Sequence, residues 1–315
     1  MVPDSGQKSQ IPEFGLGGNA MQIKNNEMNI LVEALPYLSA FKGKTVVVKY
    51  GGNAMLNDDL KNKVLEDIVF LRFAGMRPVV VHGGGPEITA MLKAAGKKSE
   101  FVSGLRVTDK ETVEIAELAL VGKTNTDLVR RLNVLGGKAV GLNGKDAKLI
   151  EARKHLADVY ENGQVNLVDI GYVGTVEKVN TDLINLLLAN DYIPVIAPTG
   201  IGPDGETYNI NADSVAGEVA GALKAEKLLM LTDVKGIYED HKDESTFLST
   251  LTFEKAQELI VKGSIDGGMI PKVKACISAL SGGAVKTHII DGRQEHSILQ
   301  EIFSDEGVGT EVVRD

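Results

Sequence analysis

Thr45-Val46-Val47-Val48-Lys49-Tyr50-Gly51-Gly52 decides the fold: a short apolar run, one lysine, then two glycines before an amphipathic stretch. Leu56, Leu60, Val64, Ile68 and Leu71 follow at spacings of three and four, so the spacing predicts a helix that stops near Gly75. Pro78-Val79-Val80-Val81 reads as the next strand, and Gly85-Pro86-Glu87 opens another helix. Working outward, the same alternation returns. Helices are expected from Thr108-Asp109-Lys110-Glu111, a capping box, to about Val121, and over roughly Asn125–Leu135. Further helices are expected at Asp182–Ala189, Ala212–Leu223, Phe253–Lys262, Pro271–Leu280 and Ser297–Phe303. Strands are expected at Lys138–Leu142, Ile193–Ala197, Lys227–Leu231, Val285–Ile290 and near Thr310–Val313. Residues 147–178, with Asn162-Gly163 between short apolar runs, read as hairpins. Continuous apolar strands separated by helices predict an α/β protein with a mainly parallel central sheet covered on both faces, an open αβα sandwich.

No Pro/Ser linker divides the 315 residues, so two lobes on one sheet are expected rather than two tethered domains. Residues 1–27 are polar and glycine-rich without an apolar period, and read as a disordered tail or an expression remnant. Residues 28–42 carry a helical stripe, Ile30, Leu31, Leu35 and Leu38, interrupted by Pro36. An exposed stripe of that kind wants a partner surface. A net charge of −9 argues against nucleic acid. It also requires any anion site to be made locally, by placed cations and amides. One cysteine, Cys276, excludes an internal disulfide and fits a reducing cytosol, and no apolar run approaches the roughly 18 residues of a membrane span.

The chemistry-bearing residues are two lysines beside glycine turns. Lys49 precedes Gly51-Gly52, where backbone amides can approach a phosphate and a following helix points its positive end at the same place. Three successive glycines in His82-Gly83-Gly84-Gly85-Pro86 forfeit backbone entropy, about 1 kcal/mol each against alanine in a regular element. A chain accepts that where its backbone must meet a ligand. Lys272, one residue after Pro271, falls in a first helical turn, where the dipole disfavours a cation by roughly 0.3–1 kcal/mol. Phosphate oxygens would reverse that sign; bending into solvent is the ordinary alternative. Asp213 in Asn209-Ile210-Asn211-Ala212-Asp213 is either a helix cap or an acceptor that holds ammonium groups in position. Arg106 is either a bidentate carboxylate clamp or half of a surface ion pair. The chain shows no HExxH, CxxC pair or GxSxG elbow. Amides and two cations without a nucleophile suit phosphoryl transfer.

These segments, with Gly104-Leu105-Arg106-Val107-Thr108, Thr232-Asp233-Val234-Lys235-Gly236-Ile237-Tyr238 and Gly268-Met269-Ile270-Pro271-Lys272, resemble in their order the amino acid kinase family. The match runs from about Met28 to Val313 and is similar above all to its acetylglutamate-phosphorylating, arginine-sensitive branch. The resemblance implies the amino acid kinase fold over 43–315, with an amino-terminal lobe of about 43–208 for N-acetyl-L-glutamate and a carboxyl-terminal lobe of about 209–315 for ATP. It implies that Lys49 and Lys272 stabilise the moving phosphoryl group and that Asp213 organises them. Gly84, Gly85, Arg106 and Asn209 would hold the substrate; Gly51, Gly52, Asp233, Gly236, Ile237 and Tyr238 would serve the nucleotide. Mg²⁺ would be bound mainly through ATP phosphates, with no protein metal site. His288, Glu301 and Gly307 match an arginine effector site, and 28–42 matches a helix that interlaces dimers into a hexamer, a trimer of dimers. The PII signalling protein is a partner of some members. The expectation is a cytoplasmic, feedback-inhibited enzyme of arginine biosynthesis. Two alternatives remain beside it: a kinase of an amino-blocked aminoadipate derivative in lysine synthesis, and an inactive arginine-responsive scaffold.

Overall fold

A computed structural model describes residues 29, 32–52, 57–161, 164–240, 242–304 and 307–314. The expected tail 1–27, Ile30 and Leu31 of the stripe, Asn53-Ala54-Met55 and Leu56, and the Asn162-Gly163 turn lie outside them. Helices alternate with the strands of one eight-stranded sheet. Its strands are β1 (Thr45–Tyr50), β2 (Arg77–His82), β5 (Ala139–Asn143), β8 (Ile193–Ala197), β11 (Lys227–Thr232), β14 (Thr250–Thr252), β15 (Lys286–Asp291) and β16 (Thr310–Val313). They lie in the order β14-β16-β15-β11-β1-β2-β8-β5. All pairings are parallel except β15 with β16. Alternate side chains of one strand enter opposite layers: Val47 joins Val79, Val81 and Met230 on one face, while Val46 and Val48 join Val80, Ile68 and Leu229 on the other. Both faces are therefore cores, the expected αβα sandwich.

One sheet runs through the chain, and β1 pairs directly with β11 near its middle. From β1 the sheet extends one way through β2, β8 and β5, and from β11 the other way to β15. The strand order thus reverses between β1 and β11, and a crevice forms at the carboxyl ends of strands at such a point. Lys49 is the penultimate residue of β1.

The hairpin expectation holds, with longer arms. β6 (Ile150–Glu161) and β7 (Gln164–Val179) pair antiparallel, and with β9 (Thr199–Ile201) and β10 (Thr207–Ile210) they close a four-stranded barrel. Pro36 sits in the first turn of helix α1 (Leu35–Phe41). There its missing N–H is no loss. No described residue of α1 is fully buried, and Leu35 stays 57% exposed.

Two boundaries need correction. The capping residue of the helix at Lys110–Glu117 is Asp109, whose carboxylate accepts from the Thr112 N–H at 2.7 Å, so the cap lies one position beyond the Thr108 box. Nor does a loop separate 121 from 125. Leu118–Asn125 forms a π-helix joining Lys110–Glu117 to the helix Thr126–Val134 in one uninterrupted rod.

Candidate active site

Three helix amino termini meet at the crevice: α3 (Gly85–Ala94), α7 (Ala212–Ala222) and α9 (Met269–Gly282). Asn211 caps α7, its side-chain oxygen accepting from the Asp213 and Ser214 amides at 2.8 and 3.2 Å. Helices α7 and α9 are held close by missing side chains. A Cβ on Gly217 would stand 2.5 Å from the Ala275 carbonyl oxygen, and one on Gly221 would meet Gly282 Cα at 3.1 Å. That contact brings the first turns together, so Lys272, fourth residue of α9, reaches Asp213 on α7.

Asp213 stands between two ammonium groups. Lys49 Nζ lies 2.8 Å from Oδ1, at an angle outside hydrogen-bond geometry, and Lys272 Nζ donates to Oδ2 at 3.2 Å and to the Gly268 carbonyl at 3.1 Å. Lys49 and Asp213 are almost fully buried, while the Lys272 side chain keeps 16% of its surface. Burial pushes the Asp213 carboxyl up, but the two lysines outweigh it and hold the group below the ordinary carboxylate range. One carboxylate for two cations leaves a net positive charge facing the crevice.

The two glycine turns touch. Gly83 N–H donates to the Tyr50 carbonyl at 2.7 Å, and a Cβ on Gly51 would come within 3.1 Å of Gly83 N. Gly52 has φ +74°, open to a side-chain-free left-handed turn. Beyond them lies a cavity of about 260 Å³ lined by Lys49, Gly52, Gly83, Gly84, Gly85, Arg106, Asn209 and Asp213, with Ile88, Phe101, Leu120 and Val173 as apolar wall. Gly51 borders it only through its contact with Gly83.

Arg106 is buried in that wall rather than paired at the surface. Its guanidinium donates to Ser99 Oγ at 2.5 Å, Thr89 Oγ1 at 2.9 Å and the Gly85 carbonyl at 3.2 Å, and stacks 4.7 Å over the Phe101 ring. No carboxylate pairs with it among the described residues. A buried cation whose neighbours are all neutral is a ready seat for an anion. The sequence reading missed Ser99, Thr89 and Phe101: Thr89 comes from helix α3, and Phe101 pairs with Arg106 across a short hairpin, β3 (Phe101–Val102) with β4 (Leu105–Arg106).

The remaining sequence candidates lie elsewhere. Asp233, Gly236, Ile237 and Tyr238 follow β11 outside this cavity. Ile237 N–H donates to Thr310 Oγ1 at 2.8 Å, Gly236 packs on the same oxygen, and Tyr238 meets the Phe247 ring edge-on at 5.4 Å. Beside them a depression of about 500 Å³ is lined by Lys235, Phe247, Ser249, Gly307, Val308 and Gly309. His288, Glu301 and Gly307 do come together. Glu301 Oε1 lies 3.0 Å from His288 Nε2 and 3.0 Å from Lys227 Nζ, and its Oε2 accepts the Val308 N–H at 3.0 Å. Gly307 leaves no room for a side chain, since a Cβ would meet Glu301 Oε2 at 2.7 Å. Burial, then Lys227, pushes the His288 imidazole well below its ordinary value, favouring the neutral ring. Lys227, the first residue of β11, carries no mark in the sequence that sets it apart from a strand start. No group of three or more His, Cys, Asp or Glu among the described residues is placed to hold a metal ion.

The model of the amino acid kinase family matches residues 44–291. An acetylglutamate kinase of Moorella thermoacetica is 58% identical over 284 residues, covering 90% of this chain and 96% of that protein. One from Pelotomaculum thermopropionicum is 56% identical with the same coverage. Among solved structures, N-acetylglutamate synthase from Neisseria gonorrhoeae complexed with coenzyme A and N-acetyl-glutamate superposes with a TM-score of 0.76 at 27% identity, over 91% of this chain. The chain spans 63% of that synthase's length.

Proposed function

Because the chain belongs to the amino acid kinase family, we propose that it transfers the γ-phosphoryl group of ATP to the side-chain carboxylate of N-acetyl-L-glutamate, forming an acyl phosphate in arginine biosynthesis. One observation carries the reading: Lys49 and Lys272 converge on Asp213, which lines a cavity whose wall holds a cation with no carboxylate partner among the described residues. A glutamate-like carboxylate has a pKa of about 4.3 and is already the nucleophile at pH 7, so no general base is required. The difficulty is bringing an anion against ATP. Lys49, Lys272 and the amides of the glycine turns supply positive charge where the phosphoryl passes, and Asp213 keeps the ammonium groups from drifting into solvent. Arg106 binds the α-carboxylate, with Asn209 beside it in the cavity. The nucleotide extends toward the loop of Asp233, Gly236, Ile237 and Tyr238. Mg²⁺ would supply charge neutralisation when bound through the ATP phosphates and water, which fits a site whose one lining carboxylate among the described residues, Asp213, is already held by two lysines.

Acyl phosphate trapped with hydroxylamine, made from N-acetylglutamate and ATP, tests this. Silence with that pair, or a clear preference for the aminoadipate analogue, would overturn it. Arg106→Lys is expected to raise KM for N-acetylglutamate about 10-fold or more with a smaller change in kcat, since lysine cannot reproduce the planar fork. Steady-state kinetics with each substrate saturating the other check it.

His288, Glu301 and Gly307, which match the arginine positions of the resembled branch, lie together, and that proximity supports arginine feedback. The exposed Val32 and Leu35 support an oligomer-forming helix, and a cytoplasmic hexamer is the assembly proposed, with PII a further candidate partner. No helix among the described residues is long and apolar enough to cross a membrane. Removing residues 1–42 is expected to leave turnover intact, weaken arginine inhibition and lower the mass measured by light scattering. A truncated protein of unchanged mass and arginine sensitivity would refute that part.

A further inference from the structure

The second glycine turn is braced from behind by a buried polar pair that none of the chemistry above uses. His82, last residue of β2, and Asn125, last residue of the π-helix, are both almost without solvent contact. The hydrogen bonds assign every proton. Asn125 Nδ2 lies 2.8 Å from the Val195 carbonyl, which can only accept, so that atom is the amide nitrogen. The same nitrogen stands 3.1 Å from His82 Nε2, which must therefore be bare. The ring proton is left on Nδ1, which donates to the Gly83 carbonyl at 2.7 Å. No charged side chain perturbs the imidazole. Burial, partly offset by that carbonyl, pushes it down to about 4, so it stays neutral through the working range.

The π-helix is what seats Asn125. In an α-helix, residues five apart point about 140° away from one another. The wider π turn brings them onto one face, and the buried pairs here are Ala119 with Thr124 and Leu120 with Asn125. Gly141 completes the slot, since a Cβ there would lie 2.1 Å from Asn125 Oδ1.

The consequence falls on one peptide. The Gly83–Gly84 bond is trans, so its carbonyl and its N–H point in opposite directions. With the carbonyl drawn back onto His82, the Gly84 N–H is turned toward the cavity that Gly84 lines. No partner for it occurs among the described residues. We propose that Asn125 and His82 are positioning residues for phosphoryl transfer: Asn125 fixes the Nδ1-protonated tautomer of His82, and His82 thereby aims the Gly84 amide at the migrating group. This role rests on the kinase reading above.

Replacing Asn125 by Asp keeps the shape and turns the donor into an acceptor. Near pH 8 kcat is expected to fall roughly 10²-fold, the scale of one mis-aimed oxyanion donor, with both KM values within about 3-fold. The added carboxylate raises the imidazole pKa. Activity should then return as pH is lowered, because the doubly protonated ring again donates from Nδ1; the parent protein has no such limb. His82→Asn retains a donor near the Nδ1 position and should keep most of kcat, whereas His82→Leu should lose about 10²-fold. Should the Asn125→Asp protein not fold, the His82 pair decides. Equal losses in the two His82 variants, unchanged kcat in His82→Leu, or a flat pH profile in a folded Asn125→Asp protein would overturn the role. An inactive parent protein overturns the kinase reading itself, whereas an active parent with indifferent variants overturns only this inference.

Discussion

Lys272→Ala should lower kcat by roughly 10²–10³-fold while leaving KM for N-acetylglutamate nearly unchanged. The asymmetry follows from position. Lys272 Nζ is tied to Asp213 and to the Gly268 carbonyl at the start of α9, whereas Arg106 is held by Thr89, Ser99 and the Gly85 carbonyl. On the proposed reaction its charge is therefore expected to act on the phosphoryl group in flight rather than on the resting amino acid. Single-turnover measurement of acyl phosphate separates the two. A KM effect with kcat preserved would make Lys272 a substrate-binding residue. The same assay on the parent protein tests the scaffold alternative, which predicts no activity to lose.

Asp213→Asn should damage both turnover and stability. The substitution leaves two lysines with no counter-charge at a position only 5% exposed. Breaking a buried pair by removing one partner typically costs about 3–5 kcal/mol. A comparable loss in kcat, on the order of 10²-fold, should accompany it as the ammonium groups splay. The pH dependence has a fixed sign. Because the folded Asp213 carboxyl lies below the ordinary aspartate range, its contribution is full above that range and fades as pH falls through the lower folded pKa. The stability gap between parent and variant should thus be constant near neutrality and close in strong acid. Denaturant titrations across that range check it, and a gap that widened on acidification would contradict the ion-pair assignment.

Much of this was legible in the chain, and the parts that were not share a cause. Strands such as Val79–Val81 declare themselves because both faces of a parallel sheet are buried, so no polar alternation dilutes the apolar run. Lys49, Lys272, Asp213 and Arg106 could be picked out because each is a charged residue set against a glycine or a helix start. Asp109 was missed as a cap because Thr108 fits the same motif one residue earlier, and only the bond to Thr112 chooses between them. The π-helix left no local mark. Gly122 and Lys123 look like a helix end, and what keeps the rod continuous is the burial of Thr124 and Asn125 against strands distant in sequence. Lys227 and Ser99 escaped for the same reason: their partners are 74 and 7 residues away, on elements whose packing no sequence period encodes.

The parallel pairing of β1 with β11 is a seam between earlier and later parts of the chain. One ammonium group of the clamp rides on Lys49, upstream of that seam, and the other on Lys272, downstream of it, while the carboxylate between them also belongs to the later half. Severing the chain between the halves would give each fragment an unpaired sheet edge and an incomplete set of charges. Competence would then be a property of the reassembled ladder, and each piece would fall silent alone.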